Sequence, residues 1–289
     1  MYSSIAANKR NTVLIMAVFV GIIGAIGWVV STMYGNTSIA VWVITVAAVY
    51  AIVQYYMASK LAVSMTGARQ IEKKDNPRLY RIVENLAITE GMPMPKVYII
   101  NDPAPNAFAT GRNPNVAIVA ATTGLLEIMD DRELTGVMAH ELGHVKNYDI
   151  RVSMVAFGLV SAIALLSDLV IRMMFFSDNR NANPIMLVIG VVVIILAPII
   201  AAIVQMAVSR QREYLADASG AMTTRDSEGL ASALAKLREY GRPMQRQSSA
   251  TAHLFFSNPL KSGGIAKLFS SHPPLEDRIA RLHKNATKF

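Results

Sequence analysis

Two histidines and a glutamate stand at helical spacing in the stretch His140-Glu141-Leu142-Gly143-His144. On an α-helix, residues four positions apart lie one turn apart on the same face, so His140 and His144 can bind a single Zn²⁺ ion. Glu141 is offset by one residue, which places it beside the metal but not among its ligands. From there it can accept a proton from the attacking water and pass it to the leaving amine. The pattern predicts a zinc-dependent peptidase in which Glu141 is the general base.

The neighbouring residues decide whether this short pattern is more than a chance match on a charged helix face. Asp130 or Asp131 can cap a helix that runs through the motif. The chain has only five histidines, and two of them fall at this spacing. A metal-binding helix is therefore favoured over a chance match. Its apolar face is expected from residues at helical spacing, namely Leu134, Val137, Met138 and Leu142.

A catalytic zinc site needs a third protein ligand. The metzincin pattern would place Gly at position 147 and His at position 150, and the chain has Asn147 and Ile150, so that class is excluded. The alternative is an acid on a later helix, as in His₂Glu sites. Glu213 and Asp217 share one helix face, so one can ligate while the other accepts an N–H from a ligand histidine. We favour Glu213 as the ligand and Asp217 as the partner of His140; the alternative is a solvated acidic helix face.

Four long apolar runs must be placed around this site. The chain is 53% hydrophobic and 17% charged, and its apolar residues are concentrated in runs long enough to cross about 30 Å of hydrocarbon as helices. A cleaved signal peptide is disfavoured for the first run because a second run follows it at once. A buried core helix is the alternative for each run, and four runs of this length favour membrane spans. The predicted transmembrane helices are TM1 at 11–33, TM2 at 38–58, TM3 at 152–171 and TM4 at 186–208.

The spans leave two soluble segments on the same side of the membrane. Residues 59–151 follow two spans and carry the His-Glu-x-x-His motif, and residues 209–289 follow two more and carry the third ligand. Both therefore share a side with the N-terminus and are expected to form one protease domain of a multi-pass membrane protein. The positive-inside rule assigns this side to the cytoplasm. The basic residues that flank the spans on it are Lys9, Arg10, Lys60, Arg151, Arg210 and Arg212.

The net charge of +8 would also suit a nucleic-acid-binding protein. Here the basic residues flank the apolar runs and form no stripe interleaved with aromatic residues, so we expect the lipid bilayer, and no nucleic acid, as a partner. His144 lies eight residues before TM3 and Glu213 five residues after TM4, which is about 12 Å of helix or less. The metal is therefore expected near the membrane surface, where loops or tails of membrane proteins can reach it.

Local patterns predict a mixed soluble domain. Asn76-Pro77 begins a helix that runs to about Glu90, with proline at its first position. Short strands are predicted at 96–100 and 116–121, joined by a loop rich in Pro and Asn at 101–115. Further helices are predicted at about 131–149, 227–240 and 274–284.

The combination of motifs resembles the M48 metallopeptidases. It consists of His-Glu-x-x-His, then Glu-x-x-x-Asp just after a span, then Ser271-His272-Pro273-Pro274-x-x-x-Arg278. The stretches Asn106-Ala107-Phe108-Ala109-Thr110-Gly111 and Asn147-x-Asp149 also match. The resemblance covers essentially the whole chain and is closer to the bacterial HtpX branch than to the Ste24-type CAAX proteases, which are larger and have more spans.

The resemblance implies a mainly α (α+β) integral membrane protein with four transmembrane helices and a zincin-type (gluzincin) domain that carries a small β-sheet. It implies one Zn²⁺ per chain and ATP-independent cleavage of misfolded or damaged membrane proteins under envelope stress. It also implies that His272 lies near the substrate oxyanion, that Arg278 orients the site and that Asn147 supports the ligands. An extended peptide would then dock on an edge strand formed by Asn106, Ala107, Phe108 and Ala109.

A membrane scaffold that keeps zinc as a structural staple is the main alternative from another class. Structural zinc sites are normally closed by four protein ligands and are often rich in cysteine. This chain has no cysteine, offers three ligands and retains Glu141, so an open catalytic position is favoured. A CAAX-processing enzyme is disfavoured because four spans are too few for an enclosed chamber.

Overall fold

The computed structural model describes residues 2–159, 161, 210–246, 251–257 and 273–285. This part of the chain is mainly helical and contains one small sheet, which confirms the mainly α (α+β) class. The helices are α1 (Tyr2–Tyr34), α2 (Ser38–Thr66), α3 (Pro77–Thr89), α4 (Thr123–Ile128), α5 (Asp131–Lys146), α6 (149–159), α7 (Arg210–Thr224), α8 (Ser227–Tyr240) and α9 (Leu275–Asn285). Two short 3-10 turns lie at Pro114–Val116 and Ala252–Leu254.

The first two helices form a hairpin whose stretches Ile5–Thr32 and Ser38–Thr66 are long and apolar enough to cross a membrane. Their close approach depends on Gly27, where an added Cβ would lie 2.7 Å from the side chain of Val43. Both helices extend beyond the apolar runs that predicted them, since α1 begins at Tyr2 and α2 continues to Thr66. The hairpin therefore reaches out of the predicted membrane region towards the rest of the protein.

The third apolar run begins inside α6, and most of it lies outside the described residues, as does the whole of the run at 186–208. The described part of α6 is buried against α1 and α2, with Phe157 fully enclosed. The Tyr50 hydroxyl on α2 donates to the main-chain oxygen of Gly158 at 3.0 Å. TM3 and TM4 remain predictions.

The sheet has four strands in the order β1-β2-β4-β3, formed by β1 (Arg69–Gln70), β2 (Lys96–Ile100), β3 (Ala107–Thr110) and β4 (Ile118–Thr122). Strands β2 and β4 are parallel, and β1 and β3 run antiparallel to their neighbours. The predicted strand at 96–100 is confirmed. The second begins at Ile118 instead of 116 because the turn at Pro114–Val116 precedes it, and β3 lies within the stretch whose composition predicted a loop.

Outside the apolar hairpin, helix α5 packs on β3, α3, α7 and α8. Its start is fixed by a capping box. The Asp130 side chain accepts a hydrogen bond from the Glu133 main-chain N–H, and the Glu133 side chain accepts one from the Asp130 main-chain N–H. Glu133 also accepts from Lys236 and Ser232 on α8 at 2.6 Å each. The predicted apolar face is confirmed, because its four residues are at most 1% exposed. The helix that carries the histidine motif is therefore held on several sides.

Candidate metal centre

Helices α5 and α7 bring three potential metal-binding side chains together. The Nε2 atoms of His140 and His144 are 3.1 Å apart. The Glu213 carboxylate lies 3.5 Å from Nε2 of His144 and 3.8 Å from Nε2 of His140. One atom from each of the three residues falls within 4.8 Å of the other two. These are the two histidines and the acid predicted as ligands.

This arrangement fits a zinc ion by distance and by donor type. Ligand atoms at the usual zinc bond length of a tetrahedral site are about 3.3 Å apart, close to the separations observed. Two imidazole nitrogens and a carboxylate oxygen are ligands that zinc prefers, and a three-residue set leaves one position for water or substrate. The cluster can therefore hold a catalytic metal.

The close approach of α7 to α5 depends on Gly220. A Cβ at this position would lie 3.0 Å from the main-chain nitrogen of His140 and 3.3 Å from the carbonyl carbon of Ala139. Both neighbours are backbone atoms and cannot move without shifting the helix. Gly143 lies in the same interface, but its nearest neighbour would be 3.6 Å away, an ordinary contact.

We expect Gly220→Ala to push the helices apart, lower the metal content and destabilise the protein by about 1–3 kcal/mol, the usual cost of overpacking. Gly143→Ala makes the same chemical change in the same interface and is the matched control. Zinc content and thermal unfolding of the two purified variants test this expectation. If they behaved alike, the close packing at Gly220 would not set the geometry of the site.

The outer nitrogen of His140 is held by a buried ion pair. Asp217 Oδ1 lies 2.9 Å from His140 Nδ1, and the Arg278 guanidinium donates to both carboxylate oxygens of Asp217, at 2.7 and 2.9 Å. Burial alone would raise the pKa of Asp217, but the Arg278 charge and the hydrogen bonds outweigh it and lower that pKa to about 2. Asp217 therefore stays ionised and fixes the proton on Nδ1, which leaves the Nε2 lone pair of His140 for a metal.

The outer nitrogen of His144 is held by Asp149, whose Oδ2 atom lies 3.0 Å from His144 Nδ1. Sequence reasoning noted Asp149 only as part of a matching motif and assigned it no role. Asn147 ends α5; its main-chain oxygen accepts from Asn8 at 2.9 Å. Within the described residues its buried side-chain oxygen has no hydrogen-bond partner. The side chain that contacts His144 from behind is thus Asp149.

The two histidines sit in opposite electrostatic environments. Burial, together with the His144 and Arg278 charges, lowers the pKa of His140 to about 4, against the pull of Asp217. Burial also disfavours a charge on His144, but the hydrogen bond that it donates to Asp149 and the charges of Glu213, Asp149 and Glu141 prevail and raise its pKa to about 9. Without a metal, one histidine is neutral and the other protonated near neutral pH, so a metal ion must displace the proton of His144.

An aromatic residue that sequence reasoning missed packs behind the site. The Phe256 ring meets the His140 ring edge-on, with centroids 4.8 Å apart, and the Arg278 guanidinium lies 4.7 Å above the Phe256 ring. Glu141 is buried on α5 next to His140. Arg278 thus contacts both the Phe256 ring and the Asp217 carboxylate, each of which packs against His140. The sequence signal was a pair of phenylalanines that matched no motif.

The predicted substrate-docking stretch forms β3 at the edge of the sheet, and part of that edge is paired with the chain itself. The main-chain nitrogen of Phe256 donates to the main-chain oxygen of Ala107 at 2.8 Å. The Asn106 side chain donates to the Ser257 oxygen at 2.8 Å and accepts from the Ser257 nitrogen at 3.0 Å. On the other face, the rings of Phe108 and Phe255 are 5.2 Å apart. His272 lies outside the described residues.

The family model and the similar sequences indicate the same family. The family model described as Peptidase family M48 matches residues 73–286. The chain is 57% identical to a protein named Protease HtpX homolog from Tropheryma whipplei (strain Twist), over all of both chains. A protein of the same name from Streptococcus gordonii is 43% identical over 98% of this chain and 99% of its own length. The crystal structure of Ste24p from S. mikatae covers 98% of this chain and 67% of that chain, at 19% identity and a TM-score of 0.48. The chain is a metalloprotease and belongs to peptidase family M48.

Proposed function

We propose that this protein is a zinc-dependent endopeptidase that cleaves misfolded or damaged membrane proteins on the cytoplasmic side of the inner membrane. In this role it would serve membrane-protein quality control and the stress response. The observation that carries the proposal is the convergence of His140, His144 and Glu213 on one point, with His144 connected through Asp149 at the start of α6 to the apolar hairpin. A site in that position can act on chains that emerge from a bilayer.

In the proposed mechanism, His140, His144 and Glu213 hold the metal. Bound Zn²⁺ would polarise the scissile carbonyl and lower the pKa of water at its open position. Glu141 takes a proton from the attacking water and delivers it to the leaving amine. Its position beside His140 on α5, buried from bulk water, supports this role.

The remaining site residues orient these groups and the substrate. Asp217 and Arg278 hold the ring of His140. The proposed role of His272 is donation to the negative charge that develops on the carbonyl oxygen. The proposed docking site for an extended peptide is the edge of β3, through main-chain hydrogen bonds. At Ala107 a substrate would have to replace Phe256 or bind beyond it along the strand.

A membrane-anchored substrate tests this proposal against general proteolysis. The purified enzyme in lipid vesicles would receive an unfolded tail joined to a transmembrane helix, or the same tail as a soluble peptide. We expect cleavage of the anchored tail close to the bilayer, at a rate well above that of the soluble tail at equal concentration. Equal rates would show that the membrane does not present the substrate.

The orientation of the chain can be tested separately. The N-terminus, residues 59–151 and residues 209–289 are proposed to be cytoplasmic because the flanking basic residues lie on that side. We expect reporters fused after Phe289 to respond as cytoplasmic proteins. A reporter at this position that responds as an exported protein would reverse the orientation and change the number of spans.

A further inference from the structure

We infer that Asn8 is a positioning residue of the metal centre, which ties the first helix of the apolar hairpin to the ligand His144 through Asp149. The inference rests on the proposed role of His144 as a metal ligand. Asn8 lies on α1, 141 residues before Asp149 in the chain, and no sequence motif points to it. The inference follows from hydrogen bonds between segments that meet only in the folded protein.

The Asn8 side chain makes two hydrogen bonds to the end of the metal-binding helix. Its Nδ2 atom donates to Asp149 Oδ1 at 2.7 Å and to the main-chain oxygen of Asn147 at 2.9 Å. The other oxygen of Asp149, Oδ2, lies 3.0 Å from Nδ1 of His144. One carboxylate therefore joins α1 to the histidine, with a separate oxygen for each partner.

Burial makes this connection specific. Asn8 is 4% exposed, Asp149 5% and Asn147 2%, so bulk water has little access to replace a lost hydrogen bond. The carboxamide of Asn8 supplies two N–H donors from a single nitrogen, which matches the two acceptors that face it. An aspartate would have the same size but would present only acceptors to Asp149.

A second contact holds the same turn. Tyr148 has a φ of +60°, a left-handed conformation that non-glycine residues seldom adopt. The ammonium of Lys9 lies 4.8 Å from the centroid of the Tyr148 ring, and Arg151 packs on Tyr55 of α2 at 5.1 Å. Two adjacent residues of α1 thus contact the connection between α5 and α6. Asn8 binds the Asn147 main chain and the Asp149 carboxylate, and Lys9 packs on the Tyr148 ring. Contacts with the hairpin therefore fix the turn that places Asp149 next to His144.

The consequence is that the hairpin helps to shape the metal site as well as anchoring the protein. Asn8 precedes the predicted span at 11–33 and adjoins Lys9 and Arg10, so the link lies at the proposed membrane surface. A displacement of α1 along its axis would move the donor away from Asp149. His144 would then lose the partner that fixes its ring and the proton on Nδ1.

Full-length variants in detergent and in vesicles test the inference. Asn8→Ala removes both donors. Asn8→Asp keeps the size of the side chain but replaces the donors with acceptors, and it tests the inference if Asn8→Ala does not fold. Ile15→Ala is the matched control, because Ile15 is a buried residue of α1 that packs among apolar side chains. It loosens the hairpin without touching Asp149. The measurements are zinc affinity by competition with a chelating dye, the visible absorption spectrum of the Co²⁺-substituted protein and thermal unfolding.

We expect both Asn8 variants to weaken zinc binding by about threefold or more, less than the roughly 10–100-fold typical of a direct partner of a metal ligand. Their Co²⁺ spectra should differ from the parent spectrum, whereas Ile15→Ala should lower the unfolding temperature and leave affinity and spectrum unchanged. In an Asp149→Asn background, Asn8→Ala should cost little further affinity because the connection is already broken.

Two results would overturn the inference while leaving the proposed function intact. One is parental zinc affinity and Co²⁺ spectrum in both Asn8 variants. The other is full additivity of Asn8→Ala and Asp149→Asn, which would show that they act independently. If instead the parent protein bound no zinc at this site, the proposed function itself would fail.

Discussion

Replacing Glu141 by glutamine is expected to abolish measurable peptide hydrolysis while the purified protein keeps about one zinc ion per chain, because the base is not a ligand. Glutamine has nearly the same shape but cannot accept a proton at neutral pH. General-base catalysis typically contributes roughly 10²–10⁴-fold, so kcat should fall by that order. The affinity for zinc should change little.

The control for Glu141→Gln is Glu127→Gln, the same change at an exposed glutamate on α4. It should leave both hydrolysis and zinc content at parental values. His140→Ala and His144→Ala should instead lose metal and activity together. A Glu141→Gln enzyme with near-normal turnover would end the general-base assignment, and one that lost its zinc would place Glu141 among the ligands.

The second large effect separates the two acids of α7. Glu213→Gln is expected to leave the site largely empty of zinc. Asp217→Asn should keep measurable zinc with lower turnover, since loss of a ligand's hydrogen-bond partner typically costs about 10–100-fold in affinity or activity. The reason is geometric. The Glu213 carboxylate faces the Nε2 atoms of both histidines, whereas Asp217 is bound to His140 Nδ1 and to Arg278.

Metal analysis of both purified variants distinguishes these roles. Asp217→Asn leaves Arg278 buried without its full counter-charge, which is destabilising, so unfolding temperatures must be measured beside the zinc content. An empty Asp217→Asn protein that is folded, together with a loaded Glu213→Gln protein, would reverse the ligand assignment.

The histidine motif and its helix could be predicted from the sequence because the signals are local. The N-cap residue Asp130 directly precedes α5, and the apolar face and the spacing of His140 and His144 lie within it. Glu213 and Asp217 also lie on a single helix, so their shared face could be predicted. Glu213 as the ligand and Asp217 as the partner of His140 could also be favoured from the sequence, and the contacts that α5 and α9 make with these acids support the two proposed roles.

Other parts of the site could not be predicted because they depend on contacts between distant segments. Asn8 reaches Asn147 and Asp149 from 139 and 141 residues away, and nothing in a polar residue before an apolar run indicates such a contact. Phe256 packs on His140 while its main chain pairs with Ala107 of β3, so it meets both from a distant segment of the chain. The composition around β3 predicted a loop, and only the family resemblance indicated a strand there. Local patterns do not encode these tertiary approaches.

Titration of metal into the chelated, full-length protein tests the central claim most directly. Hydrolysis of a model membrane-protein substrate would be followed as Zn²⁺ is added back to protein stripped by a chelator. We expect no hydrolysis without metal and a linear recovery that ends at about one zinc per chain, with Glu141→Gln binding the same amount and remaining inactive. Full hydrolysis by the stripped protein, or equal zinc uptake with no gain in hydrolysis by the parent enzyme, would contradict a catalytic zinc site at His140, His144 and Glu213.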